Sequence, residues 1–226
     1  MISAIILAGG KGKRMNSSIS KQFIEIKGKP IIYYTIKKFN ENKKIDNIVI
    51  VLSQEEVEYF KDNILNKYDL RVDKIVIGGA ERQDSVYNGL KSLENTETDI
   101  VLIHDGARPF ISDRIIDEGI KYAIMYGACA PGVMPKDTIK IKEKNNFSID
   151  TPNRETLVAI QTPQVFKFKE VLKCHERVKM DKVVVTDDTM VVERYGNKVY
   201  LYDGEYTNIK VTTACYHCPA YCILYK

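Results

Sequence analysis

The sequence lacks long apolar runs, blocks of like charge and a leader-like N-terminus. No apolar stretch approaches the roughly 18 to 20 residues that a membrane-spanning helix needs, so we expect no membrane partner. The net charge of +4 is spread along the chain without five like charges in a row, which argues against a nucleic-acid partner. The first residues, Met1-Ile2-Ser3-Ala4, place no charge ahead of the apolar run. This is unlike a signal peptide, and we expect a cytoplasmic protein.

The chain has only five cysteines, and they are poorly placed for a metal site. Cys129 and Cys174 stand alone in the sequence and are expected to be buried thiols. Residues 215–222 hold the other three, with His217 among them. A tetrahedral zinc ion needs four ligands within reach, and His217 would have to turn back beside Cys218 to be one of them. We expect an ordinary terminal segment there.

Composition and periodicity indicate a single α/β domain. The 226 residues are 44% hydrophobic and 28% charged, which is typical of a folded globular protein. Strands are predicted at residues 2–7, 45–52, 72–77, 100–104 and 198–202. Helices are predicted at residues 31–39, 55–68, 85–93 and 113–126, the second with a capping box from Ser53 to Glu56. This alternation predicts a parallel sheet covered on both faces, with ligands at the carboxyl ends of its strands.

A glycine-rich basic loop follows the first predicted strand. Glycines bring backbone N–H groups close to phosphate oxygens, and the three in this loop are Gly9, Gly10 and Gly12. The countercharge comes from Lys11, Lys13, Arg14 and Lys21. Neither Gly-Lys pair is followed by Ser or Thr, which excludes a Walker A loop, and a dinucleotide fingerprint would need glycine at Met15. The loop favours a nucleoside triphosphate over a plain strand-to-helix turn with solvated bases.

Residues 138–152 break the strand and helix alternation. They alternate apolar and polar residues around a turn at Lys144-Asn145-Asn146, which predicts a solvated β-hairpin. An isolated two-stranded ribbon is only marginally stable in water. The hairpin therefore lies either on its own domain or on a partner chain, and we favour the partner.

Three polar clusters lie where a site is expected. Asp105 and Arg108 follow a strand and should emerge at its carboxyl end. Residues 78–85 form a glycine turn that enters a helix, whose free N–H groups are able to hold a base or a phosphate. Residues 186–188, Thr-Asp-Asp, have the pattern of a helix N-cap and acidic first turn. Each cluster taken alone is equally well explained by a structural role.

Together the motifs resemble the 2-C-methyl-D-erythritol 4-phosphate cytidylyltransferases of the non-mevalonate isoprenoid pathway. The resemblance runs from Ile5 to Thr213. It rests on residues 8–15, 21–22, 78–90, 104–109, 136–138, 151–154, 161–166, 186–188 and 208–212. It implies a Rossmann-like nucleotidyltransferase fold, with a mostly parallel sheet, helices on both faces and a protruding β-arm at about residues 138–153. It also implies a homodimer with exchanged arms, and CMP transfer from CTP to the polyol phosphate with Mg²⁺ and release of pyrophosphate.

The same resemblance implies roles for individual residues. Catalytic roles at the CTP phosphates are implied for Arg14, Lys21 and Lys210. CTP contacts are implied for Ala8, Gly9, Gly10, Gly12, Gly79, Ala80, Ser85 and Asp105. Substrate contacts are implied for Asp105, Arg108, Thr138, Arg154, Thr162 and Thr186, with Thr138 and Arg154 coming from the partner's arm. Asp105 is also implied at the Mg²⁺ ion. A phosphate monoester is already an anionic nucleophile, so the reaction needs cations rather than a strong base, and no His-centred triad is evident.

The sequence departs from the family pattern at three places. Ala80 replaces an acidic residue, Gly106 stands where alanine is usual, and the tail at residues 214–226 differs from the usual Pro-Glu-Asp-Leu helix. The sequence is compatible with two other functions. One is ribitol 5-phosphate cytidylyltransfer in teichoic acid synthesis, and the other is a non-catalytic CTP-binding regulatory protein.

Overall fold

In the part of the chain that the structure describes, a mainly parallel eight-stranded sheet runs through the middle of the molecule. The structure is a computed structural model that describes residues 1–9 and 20–212. Its strands are β1 (Ile2–Leu7), β2 (Glu25–Ile26), β3 (Lys29–Pro30), β4 (Asn47–Leu52), β5 (Lys74–Ile77), β6 (Ile100–Asp105), β7 (Ala128–Val133), β8 (Ile141–Lys142), β9 (Ser148–Asp150), β10 (Ala159–Ile160), β11 (Gln164–Lys167) and β12 (Tyr200–Asp203). Its α-helices are α1 (Ile31–Glu41), α2 (Val57–Phe60), α3 (Asn66–Tyr68), α4 (Arg82–Lys91), α5 (Asp113–Tyr126), α6 (Phe168–Met180) and α7 (Asp188–Arg194).

The order of the strands brings four carboxyl ends to one edge. β5, β4, β1 and β6 are neighbours in that order and all run parallel. β11 lies antiparallel between β6 and β7, which also pairs with β10 and β12. In the register of β1, Leu7 pairs with Val51 on one side and with Asp105 on the other. The chain leaving β1 therefore passes directly beside Asp105.

Both faces of the sheet are buried under helices. In β1, Ala4 and Ile6 belong to the cluster formed with α1 and α5, whereas Ile5 belongs to the cluster formed with α4, α6 and α7. Alternate side chains of a strand point to opposite faces, so a strand buried on both faces reads as a continuous apolar run. This confirms the predicted α/β fold with helices on both faces.

The predicted elements are recovered with three corrections. The predicted helix at residues 55–68 is divided into a 3₁₀ turn at Gln54–Glu56, α2, a π-helical turn at Lys61–Leu65 and α3. Ser53 lies just before the 3₁₀ turn, and its hydroxyl donates to the Glu56 carboxylate at 2.8 Å. The Ser53 side chain accepts no hydrogen bond from a backbone N–H of the turn, so the predicted capping box is wrong. β7, β11 and α6 were not predicted at all.

The predicted hairpin is present as a separate two-stranded sheet. β8 and β9 pair antiparallel, and the turn between them places Asn146 at φ +71°. The apolar side chains Ile141, Phe147 and Ile149 are exposed, and Phe147 reaches 73% exposure. The hairpin therefore leaves apolar surface that the described part of the chain does not cover. Across residues 1–9 and 20–212, none of the helices has the length and apolar content to cross a membrane.

Candidate active site

A cavity of about 760 Å³ opens at the carboxyl ends of β1, β4, β5 and β6. Residues that follow each of these four strands line it, together with Lys21, Gln22, Lys210 and Thr212. Open parallel sheets bind ligands at this edge, and the volume is that of a small-molecule pocket. The cavity lies where the strand order predicts a ligand site.

The two ends of the glycine loop meet at the floor of the cavity. The buried Gln22 side chain donates to the Ala8 carbonyl and, at 3.1 Å, to Glu56 Oε1. A Cβ on Gly9 would lie 3.2 Å from the backbone at Leu52 and Ser53, so the chain is tightly packed there. Lys21 follows the loop and lines the cavity. Gly10, Gly12 and Arg14 lie outside the described residues.

The glycine turn after β5 forms a second wall, which includes Gly79, Ala80 and Ser85. A Cβ on Gly79 would lie 2.2 Å from Asp84 Cβ, so only glycine fits. Ser85 Oγ accepts from the Gly79 N–H at 3.1 Å and lies 3.2 Å from the Glu81 carbonyl. Glu81 and Asp84 make a reciprocal capping box at the start of α4. This box uses some of the first N–H groups of α4, so fewer of them are left for the base or phosphate that the sequence predicts there.

Asp105 lies at the centre of the site, and three cations from the described residues surround its carboxylate. Lys210 Nζ is 2.8 Å and Arg108 Nε 3.4 Å from Oδ2, and Arg82 Nε is 3.8 Å from Oδ1. Burial acts to raise the pKa of Asp105, but Lys210, Arg82 and Arg108 outweigh it and hold that pKa well below its usual range. The carboxylate is therefore ionised across the physiological range.

Arg82 joins Asp105 to a second buried carboxylate. Its guanidinium lies 2.7 Å from Asp188 Oδ2, and His175 Nε2 lies 3.2 Å from Asp188 Oδ1. Burial acts to raise the pKa of Asp188, but Arg82 and His175 outweigh it and lower the pKa to about 2. Sequence reasoning missed this network, since Asp188 stands in a capping motif and its partners are remote. The predicted cap itself is confirmed, because Asp187 accepts from the Met190 N–H at 2.9 Å.

His104 lies behind Asp105 and is fully buried. Its Nε2 lies 3.1 Å from the Arg108 carbonyl, which only accepts, so Nε2 carries the proton and Nδ1 accepts from the Thr162 hydroxyl at 3.1 Å. The Thr162 oxygen in turn accepts from the Asp105 N–H at 3.1 Å. Burial lowers the pKa of His104 to about 4. This imidazole is neutral and fully engaged, so it is unavailable as a base in the cavity.

The segment that carries Lys210 is fastened to the turn after β6. The Val211 N–H donates to the Ala107 carbonyl at 2.9 Å, and Arg108 donates to the Asn208 carbonyl at 2.8 Å. The Asn208 side chain donates to the Thr162 carbonyl at 2.9 Å. These bonds fix the backbone on either side of Lys210 and account for its contact with Asp105.

Arg108 and Thr162 contact Asp105 without lining the cavity, and three further predicted site residues lie away from Asp105 as well. Thr138 and Arg154 are exposed at the ends of the hairpin, and Arg154 donates to the Lys136 carbonyl at 3.0 Å. Thr186 is exposed just before α7, with its hydroxyl 3.6 Å from the Met190 sulfur. None of the three lines the cavity of its own chain.

The described cysteines and potential metal ligands form no further part of the site. Cys129 and Cys174 are buried free thiols, as predicted, and burial raises the pKa of Cys129 to about 12. Within the described residues no group of three or more His, Cys, Asp or Glu side chains could hold a metal ion. The cysteine cluster at residues 215–222 falls outside the described residues.

Comparisons with known proteins agree with this geometry. The model of the family "IspD: 2-C-methyl-D-erythritol 4-phosphate cytidylyltransferase" matches residues 2–226. The chain belongs to this family. It is 60% identical over 212 residues, 94% of this chain and 93% of the relative, to the 2-C-methyl-D-erythritol 4-phosphate cytidylyltransferase of Clostridium perfringens strain SM101. A Clostridium botulinum relative of the same name, from strain Eklund 17B, is 59% identical over 213 residues, which are 94% of each chain.

Solved structures give the same result. The 4-diphosphocytidyl-2C-methyl-D-erythritol synthase of Anaerococcus prevotii superposes with a TM-score of 0.87 at 34% identity, covering 100% of this chain and 96% of the other. The Francisella tularensis cytidylyltransferase gives a TM-score of 0.81 at 28% identity over 97% of both chains. The protein is therefore a nucleotidyltransferase, and its predicted fold class is confirmed.

Proposed function

We propose that this cavity transfers CMP from CTP to 2-C-methyl-D-erythritol 4-phosphate and releases pyrophosphate. The observation that carries the proposal is the placement of Lys21, Lys210 and Asp105 around one cavity at the carboxyl edge of the sheet. Membership of the cytidylyltransferase family supports it. Family membership also favours 2-C-methyl-D-erythritol 4-phosphate over ribitol 5-phosphate as the substrate. It likewise favours an enzyme over a non-catalytic regulatory protein.

The reaction joins two anions, so charge is the main obstacle. A phosphate oxygen of the polyol phosphate forms a bond to the α-phosphorus of CTP, and the bond from that phosphorus to the bridging oxygen breaks, leaving pyrophosphate. In our proposal Lys21 and Lys210, with Arg14, offset the repulsion and the charge that develops at the α-phosphorus. A phosphate monoester needs no strong base, which agrees with the buried, hydrogen-bonded His104.

Different walls of the cavity are assigned to the phosphates, the cytosine and the ribose of CTP. In our proposal Ala8 and the loop glycines face the phosphates, and the turn holding Gly79, Ala80 and Ser85 faces the cytosine. Support comes from the position of Ala8 and Gly9 on one side of the cavity and of Gly79, Ala80 and Ser85 on another, and from the close backbone packing at Gly79. Asp105 would accept from a ribose hydroxyl, with Arg108 and Thr162 holding it in place.

A Mg²⁺ ion fits Asp105 as part of a nucleotide complex. Mg²⁺ is usually bound by one or two carboxylates together with substrate phosphates, so no dedicated cluster of side chains is required. Lys210 and Arg108 both contact Asp105 Oδ2, whereas Oδ1 has Arg82 only at 3.8 Å. Oδ1 would therefore be the oxygen that holds the ion. When bound, Mg²⁺ would neutralise charge on the triphosphate.

The remaining predicted residues suit a dimer with exchanged arms. The hairpin exposes Phe147 and Ile149, and it carries Thr138 and Arg154 at its two ends. In our proposal it lies across a second copy of the chain, where Thr138 and Arg154 hold the substrate phosphate and Thr186 approaches the substrate. The reaction would take place in the cytoplasm, where CTP is made and where free thiols such as Cys129 and Cys174 persist.

The proposal is tested by pyrophosphate release from CTP and Mg²⁺ with each polyol phosphate in turn. We expect turnover with 2-C-methyl-D-erythritol 4-phosphate to exceed turnover with ribitol 5-phosphate, and ATP, GTP and UTP to be poor donors. Equal or faster turnover of ribitol 5-phosphate would overturn the substrate assignment. CTP binding without turnover of any polyol phosphate would instead support the regulatory role.

A further inference from the structure

The two acidic residues that begin α7 have different environments. Asp187 caps the helix, whereas the Asp188 side chain turns inward and is only 1% exposed. Its Oδ2 binds Arg82 and its Oδ1 lies against His175, itself 2% exposed. Its backbone N–H donates to Gln164 Oε1 at 2.9 Å, which fixes the start of α7 to β11. Asp188 is therefore a buried, rigidly held anion.

Arg82 lies between this anion and the carboxylate of the cavity. It lines the cavity, and about a third of its side chain is exposed. Its terminal nitrogen makes a short contact of 2.7 Å with Asp188, while its Nε remains 3.8 Å from Asp105 Oδ1. A guanidinium paired directly with a carboxylate lies at about 2.7 to 2.9 Å. The Arg82 charge is thus directed to Asp188, and among the contacts of the described residues Asp105 Oδ1 has only the longer one.

The other two cations at Asp105 use the opposite oxygen. Lys210 and Arg108 both lie against Oδ2. We infer that Asp188 is a positioning residue, which holds Arg82 away from Asp105 Oδ1 and so leaves this oxygen for the bound nucleotide, directly or through its Mg²⁺ ion. The inference rests on the proposed function, because it takes CTP to be the ligand of the cavity.

The test is a double-mutant cycle read by CTP affinity. Asp188→Asn keeps the shape and removes the charge, so Arg82 should move onto Asp105 Oδ1. We expect the Kd for CTP, measured by titration calorimetry with Mg²⁺, to rise about tenfold or more, and KM for CTP to rise more than kcat falls. In an Arg82→Met background the same substitution should have little effect, because no guanidinium remains to compete. Asp181→Asn, an exposed change on another helix end, is the matched control.

Three results would overturn the inference. A lower melting temperature with unchanged Kd and KM for CTP would make Asp188 purely structural. An equal effect of Asp188→Asn with and without Arg82 would show that it does not act through Arg82. If the Asp188→Asn variant fails to fold, the CTP affinities of Arg82→Met and of the double variant Arg82→Met/Asp188→Asn are compared instead. A difference between these two affinities would also show that Asp188 does not act through Arg82. Failure of the proposed function is seen separately, as wild-type protein that releases no pyrophosphate.

Discussion

A single carboxylate organises the site at the residue scale. Asp105 ends β6, and three cations from different parts of the chain converge on it. Its sequence motif predicted a position at the strand end, and Lys21 and Lys210 were also predicted from motifs. Arg82 and Asp188 are 106 positions apart in the sequence, and no local sequence pattern predicts a contact between residues so far apart. Local motifs therefore predict which residues reach the edge of the sheet, but not how their charges pair.

Lys21 gives the first residue-scale prediction. If it stabilises charge at the α-phosphorus, Lys21→Ala should lower kcat by about 10²-fold or more, on the order of 3 kcal/mol of transition-state stabilisation. The Kd for CTP should change less. Steady-state kinetics and calorimetry measure the two quantities. Lys43→Ala, at an exposed lysine outside the cavity, is the matched control. A similar loss of kcat in both variants would show that Lys21 contributes only to the general positive charge of the surface.

Lys210 gives a prediction on pH. Because the folded-state pKa of Asp105 is lowered, its pairing stabilises the protein above the unfolded-state pKa of about 3.9, and this stabilisation is lost as pH falls below that value. Lys210→Met removes the nearest cation. The unfolded-state pKa of Asp105 is common to both proteins, so the difference in unfolding free energy between them depends on the two folded-state pKa values. This difference should be constant near pH 7 and shrink in acid, as pH falls below the folded-state pKa that Asp105 has in the variant.

Urea unfolding of both proteins across this pH range measures that difference. Lys43→Met removes an exposed lysine, and its difference from wild type should change little with pH. A difference for Lys210→Met that is as large in acid as at neutral pH would show that the lysine contributes through packing rather than through Asp105.

At the scale of elements, periodicity predicts what is long and regular. β1 and α5 were predicted with the bounds observed. α6 was missed although its buried apolar positions, residues 168, 171, 172 and 178, follow a helical period, so the sequence did contain that signal. β11 has only four residues and starts with a buried glutamine, so its place between β6 and β7 depends on long-range pairing. The glycine turn after β5 was predicted, but its capping box was not, since glutamate is an unusual N-cap.

At the scale of the whole molecule, the hairpin is the element that the described chain leaves unsupported. Within residues 1–9 and 20–212 its strands pair only with each other, and Phe147 is 73% exposed. A two-stranded ribbon with an exposed apolar face is marginal in water unless another surface covers it. The dimer with exchanged arms that we propose would account both for this surface and for the position of Arg154 outside its own cavity. A symmetric pair of arms would then contribute to two active sites.

The exchanged arm predicts recovery of activity in mixed dimers. If each site combines Lys21 of one chain with Arg154 of the other, Lys21→Ala and Arg154→Ala should each be nearly inactive as homodimers. When equal amounts are unfolded and refolded together, random pairing makes about half the dimers mixed, each with one intact site of two, so about a quarter of wild-type activity should return. Separately refolded samples are the controls and should stay inactive. If mixed dimers form, as shown with a tag on one variant, and activity does not return, Arg154 acts within its own chain.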